Sequence, residues 1–442
     1  MSSFGEKFSE SLSTVAEKVE ENKYLSSLKN AFAYYLPFIL VGSFATLLNT
    51  LISSKTTGLA LWVPALAELA PGFTALNFAT MSFMTIPIVF LLGLLLGRRN
   101  GTQEYATAAL AVVAYVSVVP QVVTAAVTDQ PDLTTSAAGI PAAALGAQGL
   151  FVGIIWTIVI TELFRWLASV EALRIKMPAS VPPAVSSSFS NLLPVFIVLV
   201  FSAIFGILFR MLTGSYLNEW IYSVLQAPLE VIFQSTAGIV IMLMTAQLFW
   251  FLGIHGGLVI SPIRNPLMAA GIATNVALHN AGDAPTQILT FGFWLVFGVV
   301  GGAGMTLGLN IAGMLFSSQQ DLKMVCRLGL LPGLFSISEP MVFGVPLVLN
   351  PIYVIPFIGN AGISGFIGVL AHQIGFVSPN VVDVPFGLPI LLNAFISYGW
   401  QGIVVQAIII VVCTLTWIPF VKIDDRRARL EQERAAEAEV AL

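Results

Sequence analysis

The stretch FSISEPMVFG contains one carboxylate in a region with almost no other charge. Between Leu328 and Val421, Glu339 and Asp383 are the only Asp, Glu, Lys or Arg residues. An ionisable side chain inside a bilayer costs about 2.5 kcal/mol or more, so it usually has a partner and a function. The carboxylate of Glu339 can accept hydrogen bonds from vicinal hydroxyls, which is the chemistry of sugar binding. The alternative is a structural Glu that accepts from backbone N–H groups of a turn.

A histidine flanked by glycines is the second candidate for chemistry. In GIHGG, the ring of His255 can donate and accept a hydrogen bond at once, and Gly256 and Gly257 let a ligand approach the backbone closely. A lone His on an apolar segment is more often a satisfied core residue, so both interpretations stay open. We expect Glu339 to lie in an enclosed chamber that it shares with His255.

Two more charged residues interrupt the apolar second half of the chain. Between Val231 and Gln320 the only Asp, Glu, Lys or Arg residues are Arg264 and Asp283. Asp283 lies in the polar stretch HNAGDAP, where a ligand or solvent could contact it. Arg264 can pair with a carboxylate or face the membrane interface, and the sequence does not decide between these alternatives.

Other motifs favour packing over chemistry. The glycine run from Gly298 to Gly313 has the four-residue spacing at which membrane helices approach closely, and no soluble strand precedes it as in a phosphate-binding loop. Cys326 and Cys413 lie far apart in apolar surroundings and are expected to pack. The sequence contains no motif for ATP, no metal cluster, no nucleophile with its base and no basic nucleic-acid patch. We expect no cofactor.

The composition decides which elements must position these residues. Of 442 residues, 57% are hydrophobic and only 10% are charged, whereas soluble domains are about 25% charged. A soluble fold of this size could not be covered by so few charges. The apolar runs are continuous and lack the alternation of barrel strands, so they predict an all-α membrane protein.

Hydrophobic periodicity divides the chain into membrane spans and amphipathic segments. Residues 1–30 predict a cytoplasmic amphipathic helix, 215–234 an amphipathic connector, and 422–442 a charged cytoplasmic tail. The predicted spans lie near 31–53, 80–98, 104–122, 146–168, 188–212, 235–252, 287–316, 345–370, 387–397 in part, and 402–421.

The Lys and Arg residues in the loops indicate the orientation of the chain in the membrane, and the interrupted apolar segments indicate the type of protein. Lys and Arg cluster after the second and fourth spans, at Arg98, Arg99, Arg165 and Arg174, which marks one side as cytoplasmic and, with the tail, predicts both termini there. The apolar regions near residues 260 and 340 are broken by Gly, Pro and polar residues. Such paired interruptions point to the binding site of a transporter.

Several blocks then resemble a known family. GIHGG, the run GGAGMTLGLNIAG…DLKMVCRLGLLPGLFSISEPMVFGVPLVLNPIYVIPFI, NKYLSSLKNAFAYYLPFILVGSF and WIPFVKIDD are similar to the enzyme IIC membrane component of the phosphoenolpyruvate-dependent sugar phosphotransferase system, lactose/cellobiose (diacetylchitobiose) family. The resemblance implies a homodimer of an elevator-type transporter in the bacterial inner membrane, with about ten transmembrane helices and two re-entrant hairpins. Residues 31–214 would form the dimerisation domain, and 235–421 the sugar-binding transport domain.

The resemblance also implies roles for single residues. His255 and Glu339 would be the catalytic and sugar-binding pair, with Gly256, Gly257, Asp283, Ser338 and Phe386 as further substrate contacts. The chain would not be catalytic alone. A separate phosphorylated IIB protein, bearing a phosphocysteine, would phosphorylate the sugar.

This sequence departs from the family pattern at two places that bear on the substrate. Ser338 stands where the family commonly has Asn, and PFGLP, with Phe386, stands where it commonly has a Trp-Thr-Thr-Pro block. Phe386 would therefore provide a smaller stacking surface for the sugar. A β-linked disaccharide such as cellobiose, chitobiose or lactose is expected. The alternative function is an ion-coupled secondary sugar transporter in which Glu339 and Asp283 titrate.

Overall fold

The computed structural model describes residues 21–55, 58–127, 130–175, 177–178 and 189–440. Most of the predicted amphipathic helix over residues 1–30 lies outside this part of the chain. The contacts divide the chain into two compact units, an N-terminal unit over Glu20–Val231 and a C-terminal unit from Ile232 onwards. The division falls close to the predicted boundary at residue 235.

The N-terminal unit consists of helices around one apolar core, with a short β-hairpin. Tyr115, Trp156, Ile160 and Phe164 lie in this core and are almost fully buried. Its helices are α1 (Lys23–Leu48), α2 (Ala70–Asn77), α3 (Thr85–Asn100), α4 (Glu104–Val118), α5 (Ala142–Leu145), α6 (Leu150–Ser169), α7 (Leu192–Thr213), α8 (Leu217–Ile221) and α9 (Ala227–Gln234), the last of which crosses the boundary into the C-terminal unit.

The hairpin corrects the all-α expectation. Strands β1 (Val122–Val127) and β2 (Gln130–Ala138) pair antiparallel in the segment that the sequence analysis left as a loop. The segment is rich in Val and Thr, which favour strands. The fold is therefore mainly helical with one two-stranded sheet.

Polar contacts gather at one end of the N-terminal unit. The Lys23 ammonium lies 2.6 Å from the Glu162 carboxylate, and Arg98 lies 2.9 Å from Glu104. Arg165 and Arg174 line a surface cavity of about 390 Å³ at this end. The arginines that the sequence analysis assigned to the cytoplasmic side thus lie at one end of the unit, beside the start of α1. The predicted boundary at residue 30 falls inside α1, because Asn22 caps that helix.

The C-terminal unit contains several broken helices. Its apolar core includes Cys326, Met341, Tyr353, Phe357 and Trp417. Its helices are α10 (Thr236–Phe251), α11 (Gly256–Val259), α12 (Ser261–Ala281), α13 (Phe291–Phe293), α14 (Thr306–Phe316), α15 (Gln320–Leu334), α16 (Glu339–Gly344), α17 (Val354–Gln373) and α18 (Leu392–Val440).

The predicted span 287–316 corresponds to the candidate span Phe291–Phe316, whose helix is interrupted where Gly301, Gly302 and Gly304 adopt positive φ between α13 and α14. One predicted element of this unit needs correction. The predicted tail over 422–442 is not separate, because α18 continues from the last span to Val440 with a kink at Gly399. The start of this tail is not fully solvated either, since Asp425 is buried and accepts hydrogen bonds from Ser317 and Ser318.

The helices are long and apolar enough for a multi-pass membrane protein. In the described residues, six helices could cross a bilayer, and up to eight if each of two bent pairs counts as one span. The bent pairs are Pro64–Ser82 with Thr85–Asn100, and Leu217–Gln234 with Thr236–Phe251. The apolar helix Glu104–Val118 is shorter. The composition-based prediction of a membrane protein therefore agrees with the structure, in which the described residues provide six to eight of the roughly ten predicted spans.

Candidate functional site

His255 lies in a sharp turn between two helices. α10 ends at Phe251, Gly253 adopts φ 84°, and His255 caps the short helix α11. The Leu258 N–H donates to His255 Nδ1 at 3.3 Å, and the Trp250 ring centroid lies 4.4 Å from that of the imidazole. Because Nδ1 accepts, Nε2 is the nitrogen that carries the proton. The exposed ring is therefore fixed as a hydrogen-bond donor.

The two glycines after His255 have different surroundings. A Cβ at Gly256 would lie 1.8 Å from the Ala246 carbonyl oxygen, so the residue must be glycine for α11 to pack on α10. This buried position gives Gly256 a packing role, and its contact with a ligand stays a prediction. A Cβ at Gly257 would lie 3.4 Å from His255 Cε1 and 3.4 Å from Arg264 Nη1. Gly257 thus keeps open the space between these two side chains.

Glu339 is the first residue of α16. The chain leaves α15 at Leu334, turns through Ser336 with φ 58°, and enters α16 after Ser338. Glu339 is exposed, which corrects the expectation of a buried carboxylate. Its position at the very end of a short helix accounts for this exposure, and it leaves the carboxylate accessible to a ligand.

Ser338 packs against the glycine-rich break. It is 4% exposed, and a Cβ at Gly302 would lie 2.6 Å from the Ser338 Cβ. Its carbonyl oxygen accepts from Met341 and Val342 in the first turn of α16. The structure therefore gives Ser338 a structural role in starting α16, whereas the sequence analysis placed it at the ligand.

Hydrogen bonds join α10, which leads into the His255 turn, to the segment after Glu339 and to the glycine-rich break. The Leu349 N–H donates to the Phe251 carbonyl at 2.9 Å, and the Gly304 N–H donates to Gln247 Oε1 at 2.9 Å. Trp250 and Phe251 pack on the same apolar cluster as Met341. The two interrupted regions singled out in the sequence therefore share one local framework.

The glycine run has two functions in this framework. A Cβ at Gly308 would lie 3.0 Å from backbone atoms of Cys413 and Thr414, so close helix packing is confirmed there. Gly302 and Gly304, by contrast, lie in the non-helical break and contact Ser338 and Phe357. Packing alone was thus an incomplete interpretation of this motif.

The PFGLP block lies beside the Glu339 segment. The Ile390 N–H donates to the Leu334 carbonyl at 2.8 Å, directly before the turn that leads to Glu339. Phe386 is 63% exposed, and Gly387 adopts φ 90°. The exposed ring is available as a stacking surface near this segment.

A buried carboxylate that the sequence analysis did not select holds this loop in place. Asp383 is fully buried, and its Oδ1 accepts from the Gly292 N–H at 2.6 Å and from Asn380 Nδ2 at 3.0 Å. Asn380 Oδ1 in turn accepts from Thr290 at 2.6 Å and Tyr398 at 3.2 Å. The signal was present in the sequence, since Asp383 is one of two charged residues in the apolar stretch.

The two remaining charged candidates lie in different surroundings. Asp283 is exposed after the end of α12, and its N–H donates to the Leu278 carbonyl at 2.9 Å. No contact described for this unit brings its carboxylate to Glu339. Arg264 lies over the Trp294 ring at 4.4 Å, and none of the ion pairs among the described residues includes it.

The described residues also include no group of three or more His, Cys, Asp or Glu side chains arranged to hold a metal ion.

Comparisons with known proteins identify the family. The model of the family described as phosphotransferase system, EIIC, matches residues 29–361. The chain is 30% identical over 441 residues to the oligo-beta-mannoside-specific EIIC component of Bacillus subtilis (strain 168), covering 99% of this chain and 97% of the relative. It is 28% identical to the cellobiose-specific EIIC component of Lactococcus lactis subsp. lactis (strain IL1403), covering 92% and 95%.

A solved structure has the same fold. The crystal structure of the transporter ChbC, the IIC component from the N,N'-diacetylchitobiose-specific phosphotransferase system, matches with a TM-score of 0.87 and 29% sequence identity. The match covers 95% of this chain and 98% of ChbC. The family model covers most of the chain and the relatives nearly all of it, so the protein belongs to the phosphotransferase system EIIC family, the sugar-specific membrane permeases of that system.

Proposed function

We propose that this permease binds a β-linked disaccharide through His255 and Glu339 and presents it to a phosphorylated IIB protein. The names of the relatives support the substrate class, since they include permeases for oligo-beta-mannosides, cellobiose and diacetylchitobiose. Among disaccharides, cellobiose, chitobiose and lactose are the first candidates. Phe386 provides the stacking surface, which is smaller than a Trp would give.

The observation that carries this proposal is the contact between the two interrupted regions. The bond from the Leu349 N–H to the Phe251 carbonyl ties the His255 turn to the chain that follows Glu339. Both side chains are exposed, one as an imidazole donor and the other as a carboxylate acceptor. A hydroxyl group needs both a donor and an acceptor to satisfy it, and this pair supplies them.

The same pair can prepare a hydroxyl for phosphorylation. Phosphoryl transfer depends mainly on positioning and on electrostatic stabilisation. His255 orients the reacting hydroxyl, and the Glu339 carboxylate accepts its proton as the new oxygen–phosphorus bond forms. Both cysteines of the chain are buried, so the phosphocysteine belongs to IIB.

For transport, we propose that the chain works as a homodimer with both termini in the cytoplasm. The N-terminal unit would form the dimer interface, and the C-terminal unit would carry the sugar across the bilayer as a rigid body, with re-entrant hairpins in its broken regions. The division of the contacts after Val231 supports two bodies of this kind.

A binding screen tests the substrate and the site together. Purified protein in detergent is titrated by calorimetry with cellobiose, diacetylchitobiose, lactose, mannobiose and glucose. We expect saturable binding of at least one β-linked disaccharide and weaker binding of glucose. If none of the disaccharides binds, or if all the sugars bind equally weakly, the proposed substrate class is wrong.

A further inference from the structure

The side-chain partners of Arg264 do not neutralise its positive charge. It is the only Lys or Arg between Val231 and Gln320. Its guanidinium lies over Trp294, and Nε and Nη2 donate to Asn265 Oδ1 at 3.2 and 3.0 Å. Among the described residues, no carboxylate lies within ion-pair distance. A charged residue in an apolar membrane region costs free energy, so it usually has a function. The aromatic ring and the amide offset this cost only in part.

The position of Arg264 places its remaining nitrogen beside His255. Nη1 and His255 Cε1 each lie 3.4 Å from the point where a Cβ of Gly257 would stand, so they lie no more than twice this distance apart. Nη1 donates no hydrogen bond within the described part of the chain, and the side chain is only partly buried. The absent side chain of Gly257 leaves room for a group between the guanidinium and the imidazole.

We propose that Arg264 binds the phosphoryl group while it passes from IIB to the sugar. This inference rests on the proposed function of the His255 and Glu339 site. A transferring phosphoryl group carries negative charge on three oxygens, and the N–H groups of a guanidinium match that geometry. The stacking on Trp294 and the bonds to Asn265 hold the guanidinium plane, which leaves Nη1 directed to a ligand.

The step balances with the groups already named. The sugar hydroxyl oxygen forms a bond to phosphorus, and the phosphorus–sulfur bond of the IIB phosphocysteine breaks. The electron pair of that bond leaves with the cysteine thiolate, and the hydroxyl proton passes to the Glu339 carboxylate. Arg264 exchanges no proton and stabilises the charge on the phosphoryl oxygens.

The test separates binding of the sugar from its phosphorylation. Full-length protein is reconstituted in liposomes with IIB and the other soluble phosphocarriers, and the sugar that binds wild type is used for all variants. In Arg264→Gln, we expect sugar affinity to stay within about twofold and turnover to fall about 100-fold or more, as for other phosphate-binding arginines. Arg264→Lys, which keeps the charge, should recover at least about tenfold of that loss.

A control variant tests whether the stacking of Arg264 on Trp294 matters only for the structure. Trp294→Phe keeps an aromatic ring beneath the guanidinium, so it should retain turnover within about tenfold of wild type. The inference is overturned if Arg264→Gln turns over as wild type, if it loses sugar binding as strongly as turnover, or if the Lys and Gln variants fail equally. Failure of wild type itself to phosphorylate any sugar would instead refute the proposed function.

Discussion

At the scale of single residues, Glu339 is the most direct candidate for sugar binding. It is an exposed carboxylate at the end of a short helix, joined through Leu349 and Phe251 to the turn that carries His255. Glu339→Gln keeps the shape but loses the charge of the acceptor and adds an NH₂ donor. We expect sugar affinity to fall at least about tenfold, because hydrogen bonds to charged groups contribute about 1.5–3 kcal/mol.

Calorimetric titration checks this expectation, with thermal unfolding to confirm an intact fold. Asp321→Asn is the matched control, because Asp321 is also an exposed carboxylate in the first turn of a helix. Equal affinities in wild type and Glu339→Gln would remove Glu339 from the site.

Phe386 tests the stacking surface. It is 63% exposed in a loop tied to Leu334, so a larger ring can be accommodated without repacking a core. Phe386→Trp should tighten disaccharide binding by about 0.5–1.5 kcal/mol, a factor of about two to twelve, because the indole offers a larger face. Phe366→Trp, at an exposed position of α17, should leave the affinity unchanged. A Phe386→Trp affinity at or below that of wild type would contradict the stacking role.

The sequence singled out candidate residues but did not predict their surroundings. His255 and Glu339 stood out because each interrupts an apolar segment, and the structure places them on one framework. Burial was harder to predict: Glu339 is exposed whereas Asp383, with the same side-chain chemistry, is fully enclosed. The difference arises from a long-range partner, since Asp383 accepts a hydrogen bond from the Gly292 N–H, and no local pattern encodes a contact across that distance.

At the scale of elements, Asp383 fixes the loop that bears Phe386 to the start of α13. Asp383→Ala would leave the Gly292 N–H and Asn380 without their acceptor in a buried place. We expect it to destabilise the protein by about 1–3 kcal/mol. Asp383→Asn keeps the accepting oxygen and should cost less. Thermal unfolding in detergent measures the stabilities of the two variants. If Asp383→Ala were as stable as Asp383→Asn, these hydrogen bonds would not hold the loop.

The same carboxyl predicts a pH dependence of stability. Asp383 lies outside the candidate membrane spans, and burial raises its pKa to about 7, against the opposing effect of the bonds from Gly292 and Asn380. The carboxyl of the unfolded chain titrates near about 3.9. Between these values the folded protein binds more protons, so the stabilising contribution is complete below about pH 4 and is lost as the pH rises through 7.

Unfolding of wild type and Asp383→Asn over this pH range measures the contribution. The wild type should lose stability relative to the variant as the pH rises from 4 to 7 and beyond. Parallel curves for the two proteins would contradict a raised pKa.

Broken helices are the elements that the sequence described least well. The predicted span 287–316 ignored the break at Gly301, Gly302 and Gly304, because hydropathy alone reports an apolar run and not its backbone conformation. The continuous spans fared better: the predicted 146–168 and 188–212 agree closely with Ala147–Ser169 and Leu192–Thr213. Uninterrupted apolar runs therefore predicted helices correctly. Glycine clusters marked the places where tertiary contacts interrupt a helix.

At the scale of the whole molecule, composition alone predicted a multi-pass membrane protein, and the helices of both units agree. The hairpin over Val122–Ala138 was not predicted, since one short strand pair is a small signal within a strongly apolar chain. Membership of the EIIC family links this architecture to sugar transport. The central functional claim is therefore that transport of the sugar is coupled to its phosphorylation.

The most direct test measures the chemical form of the transported sugar. Radiolabelled disaccharide is supplied to cells that express the permease, with and without the soluble phosphocarriers, and the internal sugar is separated by chromatography. The account predicts internal sugar phosphate in cells that contain the phosphocarriers and no accumulation in cells that lack them. Accumulation of unmodified sugar without phosphocarriers, abolished by an uncoupler, would contradict it and favour an ion-coupled secondary transporter.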